Sequence, residues 1–117
     1  MKEEYLDQAI DWAKRRSSAS LKVKRGGYEE PQMFKNKTTN LIFQPDIVFS
    51  TQVGVSHFAD IAIKGEDPQY LVTRWKLFSM MASLANGKLF LLTPKGHKLF
   101  TENLVSQYKI NASIQAL

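Results

Sequence analysis

Gln44-Pro45-Asp46-Ile47-Val48-Phe49-Ser50 and, a few residues on, His57-Phe58-Ala59-Asp60-Ile61-Ala62-Ile63-Lys64 decide how this chain is read. Both runs are rich in β-branched and aromatic residues and Gly54 lies between them, so they read as the two strands of a β-hairpin. Proline lacks a ladder donor and is tolerated at strand starts, edges and bulges, so the strand over 41–52 is begun or interrupted at Pro45. Side chains alternate along a strand, which places Phe58, Asp60, Ala62 and Lys64 on one face and His57, Ala59, Ile61 and Ile63 on the other. Closure through Val53, Gly54 and Val55 would set Asp46 opposite Ala62 and Val48 opposite Asp60, leaving the two acids diagonal neighbours roughly 7–8 Å apart. A slip of one residue would turn Asp46 to the other face.

Working outward, residues 3–16 place Leu6, Ala9, Ile10 and Ala13 at helical spacing, with acids early and bases late. Residues 19–25 alternate as a half-buried strand, Gly26-Gly27 turns the chain, and 28–40 is polar and irregular. After the hairpin, Asp67 is suited to cap a helix and Pro68 to its first position, and Leu71, Trp75, Phe78, Ala82 and Ala85 form its apolar stripe. Asn86-Gly87 closes that helix, and 88–93 contains the continuous apolar run of a strand buried on both faces. Residues 97–106 predict a short helix and 110–117 a last strand. An antiparallel hairpin whose second strand leads through a helix into a parallel strand predicts a mixed sheet with helices on both faces, a three-layer αβα arrangement of the α/β class.

The 117 residues suit a single domain, 1–117, and 44% hydrophobic with 23% charged content is that of an ordinary globular chain. No apolar run approaches the length needed to cross a bilayer, and Met1-Lys2-Glu3-Glu4 is acidic where a signal peptide would be basic, so a cytoplasmic protein with no membrane partner is expected. Without cysteine, neither a disulfide framework nor a thiolate zinc site is available. A net charge of +5 points to nucleic acid or another polyanion, or to basic residues simply spread over the surface. Lys22, Lys24 and Arg25 cluster after the first helix, and Lys95 and Lys98 fall near one end of the sheet, where they could contact phosphates.

In this order of elements, with Pro45-Asp46 opening one strand and Lys64 ending the next, the chain resembles the PD-(D/E)XK, or restriction-endonuclease-like, nuclease superfamily from its first helix to about Pro94. The resemblance implies a restriction-endonuclease-like fold and Mg²⁺-dependent cleavage of nucleic acid, DNA foremost. It casts Asp46 as a metal ligand and Lys64 as the residue that positions or activates water. The second acid of the motif falls on Ala62, so a surviving metal site would be rearranged around Asp60, with Asp46, Asp60 and Lys64 as the catalytic set. Glu4 or Asp7 on the first helix could add a further acid. Small nucleases of this kind often work as dimers, and a homodimer is compatible with the apolar surface here.

Each acid also has a structural reading that stays open. Asp46 after Pro45 can organise a turn, and Asp60 can pair with a Lys or Arg across the sheet. Ala62 favours a non-catalytic module on the same fold, binding nucleic acid or serving an assembly. His57, facing the core side without a histidine partner nearby, reads as a hydrogen-bonded core or edge residue. Trp75, Phe78, Met80 and Met81 read as a core-facing or partner-facing helix surface, and Trp12, off the main stripe of its helix, as a second contact surface.

Overall fold

The computed structural model describes residues 2–117, which fold into seven strands and three helices. Helix α1 (Glu3–Lys14) is followed by β1 (Ser20–Val23), β2 (Phe34–Lys35), β3 (Ile42–Phe43), β4 (Ile47–Gln52) and β5 (Val55–Ile61). Then come α2 (Pro68–Leu84), β6 (Leu89–Thr93), α3 (Lys98–Tyr108) and β7 (Ser113–Ala116). Five strands form a mixed sheet in the order β1-β4-β5-β6-β7. The β1-β4 and β4-β5 pairs are antiparallel, whereas β5-β6 and β6-β7 are parallel and joined through α2 and α3.

Alternation sorts the sheet residues between two layers of helix. Ile47, Phe49, Ala59, Ile61 and Leu92 pack with Leu6, Ile10 and Ala13 of α1. Phe58, Leu89 and Leu91 meet Leu71, Trp75, Phe78 and Ala82 of α2 and Leu104 of α3 on the other face. The expected α/β class and mixed sheet are thus present, with β6 buried on both sides. Trp12 does not form a second contact surface. It is buried with its ring centroid 5.5 Å from Phe49 and 5.1 Å from Phe90, because the wide apolar face of α1 covers β4 and β6 together.

Two local readings are corrected. The segment 41–52 is interrupted at Pro45 as expected, with Gln44, Pro45 and Asp46 separating β3 from β4, but β3 leaves the main sheet to pair with β2 in a two-stranded ribbon, β2 being a strand within the stretch 28–40 expected to be irregular. Phe34 and Phe43 of that ribbon join the α2-side core, Phe34 stacking on Phe58 at 5.9 Å. The hairpin register also differs by two residues. The loop is only Val53-Gly54, with Gly54 at φ 82°, and a bulge between Ser50 and Gln52 brings Ile47 opposite Ala59 and Val48 opposite Phe58. A two-residue slip preserves the faces but changes the neighbours.

Helix α2 starts as its sequence predicts, Asp67 accepting from the Gln69 N–H with Pro68 in the first turn. At its other end the Ser56 N–H donates to Ala85 O, and Gly87 lies so close to β5 that a Cβ there would stand 1.8 Å from Ser56 O. Only glycine fits that approach. Among the described residues no helix is long and apolar enough to cross a membrane.

Candidate functional site

Where β4 begins and β5 ends, continuing the ladder one step beyond Ile47 and Ala59 sets Asp46 directly opposite Asp60. The Asp46 N–H points to Asp60 Oδ1 at 3.4 Å, and the Ile61 N–H donates to Asp46 Oδ2 at 2.8 Å. Sequence reasoning therefore paired the right two acids, though as diagonal rather than direct neighbours.

Their surroundings are cationic. Asp60 is 0% exposed and receives a two-pronged bond from Arg74, whose Nε and Nη2 donate to Oδ2 and Oδ1 at 2.8 Å each. Trp75 Nε1 donates to Oδ2 at 3.0 Å, and Lys2 Nζ stands 3.6 Å from Oδ1. Lys2, just ahead of α1, also donates to Asp46 Oδ2 at 3.1 Å, and Arg74 Nη2 lies 3.8 Å from Asp46 Oδ1. Two further guanidinium protons reach Gln44 O at 2.7 Å and Tyr70 Oη at 3.3 Å. Two carboxylates and two cations thus close a neutral cluster. Among the described residues no buried side-chain N or O lacks a hydrogen-bond partner.

Burial and charge divide the pair. Burial raises the Asp46 carboxyl, Asp60's charge raises it further, and Lys2 and Arg74 only partly offset this, leaving it at about 6. Burial also pushes Asp60 upward, but Lys2 and Arg74 together outweigh it and hold that carboxyl well below its usual range. Burial disfavours charge on Lys2 and Arg74 as well, yet the two aspartates leave both above their ordinary values.

A divalent metal does not fit this donor set. Magnesium needs carboxylate oxygens free to face an octahedral ion with its waters, whereas both Asp60 oxygens already face protein donors and two cations stand within ion-pair distance. Among the described residues no group of three or more His, Asp or Glu is placed to hold an ion. Ala62, at the motif's acid position, is packed into the α2-side core.

Lys64 does not join the acids. Strand β5 ends at Ile61, and Lys64 is exposed beyond it, its backbone N–H donating to His97 Nδ1 at 2.9 Å. Lys24, Lys95 and Lys98 are likewise exposed, in segments that follow β1 and β6, so with Lys64 they occupy the same end of the sheet. Lys22 and Arg25 are engaged instead, with Glu29 at 3.7 Å and Asp7 at 2.6 Å. Between α1 and this end lies a cavity of about 280 Å³ lined by Lys2, Glu3, Leu6, Lys24, Asp46 and Ile61. His57 lies at the far end of β5, against Phe49 and Phe90, accepting from the Lys88 N–H and bonded to Thr51 Oγ1.

Compared with known proteins, the chain matches no family model, no curated protein and no solved structure. Lys2 and Arg74 were the cluster members that sequence reasoning missed. Lys2 carries no local signal, but Arg74 does: it sits within the buried stripe formed by Leu71, Trp75 and Phe78, where a cation requires a buried acid.

Proposed function

We propose that this chain is a non-catalytic module of restriction-endonuclease-like fold that binds nucleic acid at the end of its sheet. The observation that carries the non-catalytic part is the saturation of Asp60 by Arg74 and Trp75. A carboxylate held in this way supports the fold and has no oxygen to offer a metal or a water nucleophile. Lys64 acts as a basic rim residue rather than a catalytic one.

The binding part rests on charge placement. Lys64, Lys95 and Lys98 are exposed just beyond the carboxyl ends of β5 and β6, with Lys24 beyond β1 at the same edge, the end of a parallel strand pair where α/β proteins commonly receive ligands. The acids of the nearby cluster are neutralised internally, so they do not cancel this rim at distances where phosphates approach.

The test combines fluorescence anisotropy on labelled single-stranded and duplex DNA and RNA with a cleavage assay in Mg²⁺ or Mn²⁺. Binding should weaken steeply as salt rises from about 50 to about 200 mM, and Lys24→Ala or Lys95→Ala should lower the salt slope by about one phosphate contact each. Cutting that Asp46→Asn abolishes would overturn the non-catalytic reading, and absence of binding at low salt would overturn the nucleic-acid reading.

A further inference from the structure

The outer side of α2 is unlike that of α1. From Pro68 to Thr101 the chain contains no carboxylate, while Arg74, Lys76, Lys88, Lys95 and Lys98 fall within the same span. Helix α2 buries Leu71, Trp75 and Phe78, yet its opposite side exposes Met80 at 54% and Leu84 at 73%. Two large apolar side chains left uncovered among the polar residues Thr73, Lys76 and Ser83, on a helix whose other face is already packed, form a patch suited to a partner.

That face forms one wall of a groove. An open cleft of about 620 Å³ runs between α2 and the end of α3, with Met80, Leu84 and Ile110 supplying apolar surface and Lys76 and Lys109 standing at its edge. It shares Ser79, Ser83 and Asn111 with a second hollow of about 340 Å³ that reaches Gly87 and Lys88. The wall is tied across by Ser79 Oγ, which donates to Asn111 O at 2.7 Å. No carboxylate lines either hollow, and among the described residues Lys76, Lys88 and Lys109 have no carboxylate within ion-pair distance.

We propose that this groove docks an acidic amphipathic peptide segment of a partner protein. Leucine-type side chains at helical spacing would enter between Met80, Leu84 and Ile110, and flanking Asp or Glu would meet the three lysines. Methionine suits such a floor because its unbranched thioether repacks around differing shapes. Nucleic acid fits less well here, since successive bases need a stacking platform of several rings and Tyr108 is the one ring lining the groove. The proposal is independent of the nucleic-acid reading, which concerns the end of the sheet.

The probe is a fluorescein-labelled helical peptide of roughly 18 residues with Leu spaced for one face and Glu beside it, compared with a companion in which Lys replaces Glu. Anisotropy should show the acidic peptide binding at least about tenfold more tightly, weakening with salt, and amide shifts in the full chain should concentrate at 79–84 and 108–111. The Lys76→Glu/Lys109→Glu variant should reverse the preference, and Leu84→Ser should weaken both peptides; all three positions are exposed, so an unchanged melting curve certifies folding. No shifts at millimolar peptide, equal affinity for the two peptides, or shifts outside the groove would overturn the proposal. So would displacement of the peptide from these residues by a DNA duplex, or sedimentation showing the groove covered by a second copy.

Discussion

The β4-β5 hairpin is polar at both ends, and the two ends behave as different materials. At one, Asp46 and Asp60 are buried against Lys2 and Arg74. At the other, Ser20 bonds Ser50, Ser50 lies 3.5 Å from Ser56, and Thr51 meets His57, all close to solvent. Water can replace any partner in the hydroxyl row, but it cannot replace Arg74 or Trp75 around the fully buried Asp60. A polar residue's contribution therefore follows from what would solvate it once its partner is gone.

The largest test of that contrast is Asp60→Ala. It strands the Arg74 guanidinium and Trp75 Nε1 in the core and should cost about 3–5 kcal/mol, read from urea unfolding. Pairing Asp60→Leu with Arg74→Met removes both charges and should recover much of the loss. If Asp60→Ala unfolds within about 1 kcal/mol of the parent, the cluster is wetter than its geometry indicates.

A smaller effect should appear with pH. Because the folded state raises the Asp46 carboxyl to about 6, that group favours folding below about 4 and loses its contribution as pH rises through 6. The loss is on the order of 1–3 kcal/mol, at about 1.4 kcal/mol per pKa unit. Asp60 acts in the opposite sense and below this window, destabilising the fold as pH falls under about 4. Burial lowers His57, with Lys88 contributing, so its share of stability is lost as pH falls through and below its ordinary value. Comparing the parent with Asp46→Asn cancels the His57 contribution, and the variant should lack the decline between pH 4 and 6. An identical pH profile in both proteins would remove Asp46 as its source.

The smallest effect belongs to the turn end. Ser56→Ala should shift stability by less than about 0.5 kcal/mol, since its hydroxyl partners are near water. A loss above about 1 kcal/mol would place the hydroxyl row on the same footing as the ionic cluster.

The contrast also explains how much could be read in advance. Helix α1, the Asp67-Pro68 start of α2 and the doubly buried β6 each announce themselves through local chemistry that the tertiary structure leaves intact. The hairpin register was not local, because the loop length and the bulge at Thr51 together set it and their errors add. The site suffered most, since its acids lie fourteen positions apart but are neutralised by Lys2 from one side of the sheet and Arg74 from the other. Nothing near Asp60 in the chain names those partners. Alternation nevertheless kept Asp46 and Asp60 on a common face, because an error of two residues leaves facing unchanged.

Helix α2 is fastened to β5 twice. Its Arg74 grips Asp60 near one end, while Ala85 accepts from the Ser56 N–H and Gly87 rests on Ser56 at the other. It is a beam clamped at both supports, whose position is fixed before anything touches its outer side. A segment docking there would meet a preformed rail, and the freedom lost on association would be mainly its own.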